Sequence, residues 1–340
     1  MSNGRPQAYQ RLAELLIGSR IAMALRVVAE RRIADVLATG PQTAEALSSA
    51  AGVPASTLHR LMRGLAHIGV FAETADGRFT NTDVSEYMRS DVTPSLRELI
   101  LMLNDDAVLR GWQQLPTVLQ SGEPAFAAAN GVAFFDYIAA DPQRSATVGK
   151  AMVGIYGPEG LKIAVGYPFG RFNTLIDIGG GQGHIVAEIL QQHPALKGAL
   201  LDLPPTAEVA RNFLAGQGLS HRCDVFAGDF FAAVPAGYDA YVIKSVLHDW
   251  DDGKAVQILR HCRDAMPSHG RVLVIEIVIY PGQPMGHPHL MIDLEMMVTL
   301  GGKERTEQEF ATLLSSAGLT LEKVTPINGS FFSVAEARPA

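Results

Sequence analysis

A buried strand, a glycine-rich turn and a helix follow one another between Leu175 and Pro194, and this run constrains the fold more than any other. The stretch LIDI is largely apolar, and glycines follow it at positions 179, 180, 181 and 183. Apolar residues then recur at helical spacing until Pro194 stops the pattern. A buried strand that leads through glycines into a helix is typical of a parallel α/β sheet.

The glycine turn also predicts a ligand. Glycine lacks Cβ, so the backbone can bend sharply and approach a ligand, while the start of the helix offers free N–H groups. Asp202 ends the next apolar run, GALLD, where an acid can bind a pair of ribose hydroxyls. The glycines do not follow the G-x-G-x-x-G spacing of a pyrophosphate binder. We therefore predict a nucleoside ligand, with a dinucleotide or a purely structural loop as alternatives.

Length and composition limit the class of protein. The 340 residues are enough for two domains, and 47% apolar with 19% charged residues describe an ordinary globular chain. Cys223 and Cys262 are expected to be reduced packing residues. The most apolar run, residues 272–280, is too short to span a bilayer and contains Glu276. We predict a cytoplasmic protein with no membrane partner.

The first 90 residues predict helices and a winged helix-turn-helix. Residues 1–40 are apolar on more than one helical face, so a second subunit or the rest of the chain must cover them. From residue 43, two short helical patterns are followed by two short hydrophobic segments joined at Ala75-Asp76-Gly77. This outline is shared by DNA-binding repressors.

The charge of this region argues against DNA binding. Residues 43–90 contain four arginines and five acidic residues, a net charge of −1, and the whole chain carries a net charge of −7. A surface that releases counterions from phosphates should be clearly basic. We therefore predict dimerisation rather than nucleic-acid binding, and keep a ligand-sensing transcription regulator as an alternative.

The remaining chain divides into a helical region and a sheet domain. Residues 91–170 are mainly helical, and from residue 172 apolar strands alternate with helical patterns. Asn328-Gly329 between the last two strands is a hairpin signal that predicts an antiparallel strand at the edge. We predict an α/β protein with a doubly wound sheet of about seven strands. The predicted domains are 1–100 for dimerisation, 101–170 for a helical linker and substrate pocket, and 171–340 for the sheet.

A glycine and five polar residues follow five successive strands of this predicted sheet. Ligands of open α/β sheets bind beyond the carboxyl ends of the strands. The residues found there are Gly179, Asp202, Asp229, Lys244, His248 and Glu276. Their convergence predicts one site at one edge of the sheet.

Several motifs in this order resemble one enzyme family. They are IDIGGGQG, LLDLPP, AGDFF, IKSVLHDWDD, LVIEIVI and DLEMMVTLGGKERTEQEF. The set is similar to that of the S-adenosylmethionine-dependent O-methyltransferases that include plant caffeic acid and flavonoid enzymes and bacterial natural-product tailoring enzymes. The resemblance covers nearly the whole chain. It implies a Rossmann-like methyltransferase domain, a mainly α winged-helix dimerisation domain before it, and a homodimer.

The resemblance also implies the cofactor site. S-adenosyl-L-methionine would be the cofactor, with its methionine moiety near Gly179 and Gly181 and its ribose hydroxyls on Asp202. Asp229 and Phe230 would hold the adenine, and Lys244 would also lie at the cofactor.

By the same resemblance, His248 is the general base, and Glu276 and Glu304 lie on either side of its imidazole. Asp249 lies beside the substrate, and Met152 and Met297 lie near the acceptor ring, which implies an aromatic small-molecule acceptor. This scheme requires no metal. A phenol with a pKa near ~10 is mostly protonated at neutral pH, so a histidine that accepts its proton as the methyl moves suits the chemistry.

Alternative interpretations stay open. Within the enzyme class these are N-methylation of a heteroaromatic acceptor, which needs no base, and a member diverted to hydroxylation or decarboxylation. His248 could also lie at a strand-to-helix junction without a chemical role. His287 and His289, in GHPH, could suggest a metal site, but two loop histidines without nearby cysteines or further acids are more typical of plain surface.

Overall fold

The computed structural model describes residues 5–280, 282 and 289–340. The chain divides into two compact units, one of residues 1–109 and 138–155 and the other of residues 110–137 and 156–340. The predicted middle region, 101–170, is divided between these units and does not form one of its own. Among the described helices, none combines the length and the apolar character that crossing a bilayer would need.

The first unit is mostly helical. Its elements are α1 (Arg5–Leu16), α2 (Gly18–Glu30), α3 (Ile33–Leu37), α4 (Ala44–Ala51), α5 (Ala55–His67), β1 (Phe71–Glu73), β2 (Phe79–Asn81), α6 (Asp83–Glu86), α7 (Arg97–Leu103) and the start of α8 (Asp106–Trp112).

The predicted winged helix-turn-helix outline is present in this unit. The Thr43 side chain caps α4 by accepting a hydrogen bond from the backbone N–H of Ala46, and Gly52 ends the helix at φ +66°. Strands β1 and β2 pair as an antiparallel hairpin. Met62 of α5 packs with Phe79 of β2 in a core whose members are almost fully buried.

Short helices and one long helix precede the sheet. They are α9 (Leu115–Ser121), α10 (Phe126–Asn130), α11 (Phe134–Ala139) and α12 (Pro142–Gly166), followed by a 3-10 turn at Phe169–Arg171. The first part of α12 belongs to the first unit and the part from Tyr156 onwards to the second.

The second unit contains the predicted α/β sheet. Its remaining elements are β3 (Thr174–Ile178), α13 (His184–Gln192), β4 (Lys197–Asp202), α14 (Pro204–Gly216), β5 (Cys223–Ala227), β6 (Ala240–Lys244), α15 (Asp252–Ala265), β7 (Arg271–Ile279), α16 (His289–Thr299), β8 (Arg305–Thr306), α17 (Glu307–Ser316), β9 (Leu319–Pro326) and β10 (Phe332–Pro339).

The sheet order is β5-β4-β3-β6-β7-β10-β9, and the short β8 pairs with the end of β7. Strands β3 to β7 are parallel, and β10 runs antiparallel to both β7 and β9. This mixed, Rossmann-like sheet with antiparallel pairing at one edge confirms the predicted fold class. The Asn328-Gly329 turn connects β9 to β10, and Gly329 has φ +70°.

Both faces of the sheet are covered, which explains why the strands are continuously apolar. Successive side chains of a strand point to opposite faces. Leu175 packs into one core with α13, whereas its neighbour Ile176 packs into a second core with α15 and α17. Burying an aliphatic side chain of this size contributes roughly 1.5–3 kcal/mol, so these layers hold the carboxyl ends of the strands in place.

Candidate active site

The glycine turn after β3 has the backbone that the sequence predicts. Gly179 and Gly181 have φ values of +68° and +58°, a region that side chains with a Cβ rarely adopt. A Cβ at Gly180 would lie 2.6 Å from Oδ2 of Asp177 and 2.7 Å from Cδ1 of Leu200, so no larger residue fits there. The turn therefore keeps bare backbone at the edge of the sheet.

Asp177 lies directly beneath this turn and was not singled out from the sequence. Its side chain is buried in β3, and neither carboxylate oxygen has a hydrogen-bond partner. Burial raises the pKa of Asp177 to about 7. An unpartnered buried carboxylate is costly, so it marks a place where a cation or donor is expected. The signal in the sequence is an acid that interrupts an apolar strand, the same signal that Glu276 gives.

Asp202 is joined to the glycine turn. Its Oδ2 accepts a hydrogen bond of 2.8 Å from the backbone N–H of Gly181, and its Oδ1 accepts one of 2.7 Å from Leu203. Burial raises the pKa of Asp202, although these two donors and the hydroxyl of Thr206 oppose the change. A carboxylate has about four acceptor positions, so with these three donors Asp202 can still accept a hydrogen bond from a ligand hydroxyl.

Asp229 and Phe230 lie beyond β5. Oδ1 of Asp229 accepts a hydrogen bond of 2.8 Å from the backbone N–H of Phe231. The ring of Phe230 reaches the glycine turn, because a Cβ at Gly179 would lie 3.4 Å from its Cε1. Trp250 completes an aromatic group here, with its ring centroid 6.4 Å from that of Phe230 and 4.8 Å from that of Phe231.

Lys244 ends β6 among aromatic rings. Its Nζ lies 4.2 Å from the ring centroid of Tyr156 and 4.5 Å from that of Phe332, and it donates a hydrogen bond of 3.1 Å to Oγ of Ser245. Burial lowers the pKa of Lys244 to about 8, although the negative charges of Glu276 and Asp177 favour its ammonium form.

His248 lies in a short 3-10 turn, Leu247–Asp249, that one carboxylate organises. Oε1 of Glu276 accepts backbone hydrogen bonds from Val246, Leu247 and His248 at 3.1, 2.9 and 3.4 Å. Glu276 is therefore the acceptor that orders this turn, in addition to its position beside the imidazole.

Both glutamates approach the same nitrogen of the His248 ring. Nδ1 lies 2.8 Å from Oε1 of Glu304 and 3.6 Å from Oε2 of Glu276, while Nε2 lies 3.4 Å from Oδ1 of Asp249. Both carboxylates thus lie beside the imidazole, and their nearest oxygens approach the same ring nitrogen. The two carboxylates share one ring nitrogen because β7 and the segment before β8 are neighbours in the sheet.

The charges of these groups are strongly coupled. Burial alone would lower the pKa of His248, but Glu276, Asp249 and Glu304 outweigh it and raise that pKa to about 10. Burial raises the pKa of Asp249 to about 7, with a further increase from the two glutamates. Burial likewise raises the pKa of Glu304, while its hydrogen bond with His248 opposes the change.

The backbone of Glu304 is itself fixed by a side chain of α16. Its N–H donates a hydrogen bond of 2.8 Å to Oδ1 of Asp293 on α16. The side chains of Glu276 and Glu304 each keep one buried oxygen without a hydrogen-bond partner. The ligand atoms of His248, Glu276 and Glu304 lie within 4.8 Å of one another, a spacing at which they could also hold a cation.

The two methionines predicted near the acceptor, Met297 and Met152, belong to different units of the fold. Met297 lies on α16, the helix that also carries Asp293, and it is partly buried. Met152 lies on the part of α12 that belongs to the first unit, so its contact with an acceptor stays a prediction. His287 and the side chain of His289 lie outside the described residues.

Comparison with known proteins identifies the family of both parts of the chain. The model of the O-methyltransferase domain matches residues 112–320, and that of the O-methyltransferase dimerisation domain matches residues 13–91. Together they cover both units of the fold.

Two curated relatives show the range of the family. The chain is 38% identical to the phenazine O-methyltransferase PhzM of Lysobacter antibioticus, over 96% of this chain and 95% of that protein. It is 32% identical to the 8-amino-8-demethylriboflavin N,N-dimethyltransferase of Streptomyces davaonensis, over 97% and 95%.

Solved structures share the fold over at least 94% of the chain. The mitomycin 7-O-methyltransferase MmcR superposes with a TM-score of 0.93 at 37% identity, covering 100% of both chains. The neocarzinostatin O-methyltransferase NcsB1, solved with S-adenosylmethionine and 2-hydroxy-5-methyl naphthoic acid, gives a TM-score of 0.83 at 36% identity over 94% and 96%. That complex supports the predicted cofactor. The chain therefore belongs to the O-methyltransferase family, with an N-terminal dimerisation domain of the same family.

Proposed function

We propose that this protein transfers a methyl group from S-adenosylmethionine to a hydroxyl of an aromatic small molecule, with His248 as the general base. The observation that carries the proposal is the hydrogen bond of 2.8 Å between Nδ1 of His248 and Oε1 of Glu304. The relatives named for phenazine, mitomycin and naphthoate substrates support an aromatic acceptor from secondary metabolism.

The hydrogen bond to Glu304 supports Nε2 of His248 as the nitrogen that acts as the base. A carboxylate only accepts hydrogen bonds, so Nδ1 must carry a proton and donate it. Neutral His248 therefore has its lone pair on Nε2, beside Asp249. An acceptor hydroxyl at Nε2 would lose its proton there, and the carboxylates would stabilise the imidazolium that forms.

The raised pKa of His248 sets a condition on this mechanism. With a pKa of about 10, the ring is imidazolium at neutral pH and must lose that proton before it can accept another. S-adenosylmethionine supplies an activated methyl on a positively charged sulfonium. A positive charge near Glu276, Glu304 and Asp249 would offset part of the negative charge that raises the pKa of His248. It would therefore favour the neutral form of the ring.

The residues at the glycine turn fit that cofactor. The unpartnered carboxylate of Asp177, under a turn that only glycine can form, suits a ligand with positive charge. Asp202 would accept the ribose hydroxyls, and Asp229 and Phe230 would hold the adenine. His248 is only 6% exposed, so its surroundings exclude water. The chain would also align the methyl donor with the acceptor and accept the proton.

The test is methyl transfer from S-adenosylmethionine carrying a labelled methyl to a panel of phenols, naphthols and heteroaromatic acids. We expect labelled methyl ethers, and we expect His248→Ala to lower the rate by ~10² to 10⁴, as loss of a general base does. Full activity of the variant would remove the role of His248. Failure to bind S-adenosylmethionine in calorimetry would end the proposal as a whole.

N-methylation is the second candidate, because the relative from Streptomyces davaonensis is an N,N-dimethyltransferase. An amine that attacks through its lone pair needs no base before transfer, so this activity would be insensitive to His248→Ala. Product analysis by mass spectrometry and NMR separates methyl ethers from methylamines.

We also propose that the active form is a homodimer. The dimerisation-domain match and the exposed apolar side chains of α1 support this, since Leu12, Leu15 and Leu16 are 59%, 60% and 67% exposed. Light scattering coupled to size-exclusion chromatography should give twice the 36.5 kDa chain mass. A monomer that is fully active would contradict it.

A further inference from the structure

Arg305 is a buried arginine directly after Glu304, and the function proposed above does not use it. Its side chain is 1% exposed. One of its terminal nitrogens donates to the carbonyl oxygen of Leu247 at 3.0 Å, and the other donates to that of Trp250 at 3.1 Å. The guanidinium thus bridges the two ends of the turn that contains His248.

The other donors of Arg305 bind a carboxylate. Nε and one terminal nitrogen lie 3.1 and 2.8 Å from Oδ1 of Asp252, at the start of α15. Asp252 also forms an ion pair of 3.1 Å with Lys303. The charge of the guanidinium is therefore balanced, and its planar fork fixes three acceptors in one geometry.

Gly302 gives a second, independent contact between the same two segments. A Cβ at this position would lie 1.9 Å from the carbonyl oxygen of His248 and 2.7 Å from the backbone nitrogen of Trp250. Gly302 lies outside the left-handed region in which a Cβ would be strained. An alanine there would have an ordinary conformation, so its cost would come from pushing the turn away.

Both contacts join the peptide backbone around His248 to the segment that carries its hydrogen-bond partner. The distance of 2.8 Å between Nδ1 of His248 and Oε1 of Glu304 spans two segments that are far apart in sequence. Side chains alone would leave that distance free to vary, whereas backbone contacts on both sides of His248 fix it.

We propose that Gly302 and Arg305 are positioning residues that hold the His248 turn against the Glu304 segment. They keep Nδ1 of His248 and the Glu304 carboxylate within hydrogen-bonding distance. This inference rests on the proposed role of His248. In this proposal neither residue binds the acceptor or the cofactor; both act through the position of the ring.

The first experiment compares Arg305→Lys and Gly302→Ala with two matched controls. Lysine keeps the charge but cannot bond two carbonyls and a carboxylate in one plane. Arg338→Lys changes an arginine whose side chain is 46% exposed on β10, and Gly216→Ala changes a helical glycine with no atom within 4 Å of its new Cβ. We expect kcat for methyl transfer to fall by about 10- to 100-fold in the first pair, as misplacement of reacting groups does. KM and Kd for S-adenosylmethionine should be unchanged, and the controls should match the parent protein.

A double-mutant cycle with His248→Ala separates positioning from general damage. If Arg305 acts through His248, adding Arg305→Lys to His248→Ala should lower the rate no further than His248→Ala alone. Rate losses that multiply would overturn the inference. Loss of cofactor binding in Arg305→Lys would also overturn it, because the defect would then extend beyond the ring.

Two further results keep the test decisive. If Gly302→Ala fails to fold, Asp252→Asn provides a milder variant, since its side chain is 56% exposed and its amide oxygen still accepts from Arg305. It should lower kcat by less than Arg305→Lys, and an unchanged kcat in both would contradict the inference. If His248→Ala itself retains full activity, the proposed function fails, which is a different outcome from losses that multiply.

Discussion

Glu304 and Glu276 lie at 2.8 and 3.6 Å from the same nitrogen of His248, but they are held in different ways. Glu304 accepts a hydrogen bond from the ring, whereas Oε1 of Glu276 is occupied by three backbone N–H groups of the turn. The first carboxylate acts on the ring directly, and the second supports the backbone that carries it.

This difference predicts how the pH profile responds to Glu304→Gln. The pKa of His248 is raised to about 10, and the base must be neutral to act, so kcat/KM should rise with pH toward that value. Removing a negative charge beside the ring disfavours imidazolium, so the pKa of His248 falls and the acid limb of the profile moves to lower pH. A shift of about one pH unit or more is expected from a charge this close.

The measurement is kcat/KM between pH 6 and 10, with Asp264→Asn as the control because its side chain is 64% exposed at the end of α15. The maximal rate of Glu304→Gln should also fall, since the imidazolium formed during transfer loses its partner. An acid limb at an unchanged or higher pH would contradict this assignment.

Glu276→Gln and Glu276→Ala should differ in stability. An amide oxygen can still accept the three backbone N–H groups, whereas alanine leaves them buried and unpartnered. Each unsatisfied group costs about 1–3 kcal/mol, so Glu276→Ala should lower the free energy of unfolding clearly more than Glu276→Gln. Urea denaturation of both variants checks this. Equal losses would show that the charge of Glu276, not its hydrogen bonds, stabilises the turn.

Asp177→Asn should stabilise the protein at high pH and weaken cofactor binding. Burial raises the pKa of Asp177 to about 7, so the folded state binds this proton more tightly than the unfolded state. The contribution of this group to stability is greatest below its unfolded pKa of about 4 and is lost as pH rises through about 7. Asparagine has no charge to bury, so its advantage should grow with pH, up to about 4 kcal/mol.

Urea denaturation at pH 5.5 and 8.5, without cofactor, compares the two proteins, and calorimetry measures S-adenosylmethionine binding. We expect a larger stabilisation at pH 8.5 and a weaker affinity. The same stability difference at both pH values would show that Asp177 is not a buried charge.

Glu336 should affect stability without affecting catalysis. It is 3% exposed on β10, where it accepts hydrogen bonds from Arg171 and, at 2.7 Å, from the hydroxyl of Tyr167. Glu336 pairs with Leu273 near the amino end of β7. It therefore lies toward the amino ends of the parallel strands, whereas His248 follows the carboxyl end of β6. Burial opposes ionisation, but these donors outweigh it and lower the pKa of Glu336.

Glu336→Gln should therefore lower the free energy of unfolding at pH 7 by about 1–3 kcal/mol, since it weakens charged hydrogen bonds at a buried group. The loss should shrink as pH falls through the pKa of Glu336, where the parent protein loses the same charge. Denaturation at pH 7 and at several pH values below ~4.3, the ordinary pKa of a glutamate, measures this, and kcat at 25 °C should match the parent. A reduced kcat would connect this cluster to the site.

The sequence predicts the sheet and the polar residues at its edge because parallel strands bring their carboxyl ends together. Gly181 and Asp202 follow adjacent strands, and the hydrogen bond between them follows from that topology. The apolar runs that continue through Leu175 and Ile176 likewise indicate a sheet covered on both faces.

Other features depend on contacts that no local pattern encodes. Glu304 lies in a charged segment that reads as a solvated loop, yet its side chain is buried against His248. Two carbonyl partners of the buried Arg305 side chain lie more than 50 residues earlier in the chain, so no local pattern predicts its burial. The division of residues 101–170 between two units also depends on packing partners, since α12 is one continuous helix.

The central claim is that His248 accepts the proton of an acceptor hydroxyl during methyl transfer. Its most direct test is the single-turnover rate of labelled methyl transfer to a phenol, measured across pH in the parent protein and in His248→Ala. We predict a parent rate that rises with pH and a variant rate at least ~10²-fold lower near neutral pH, without that histidine-dependent rise. Equal rates with the same pH dependence would contradict the account.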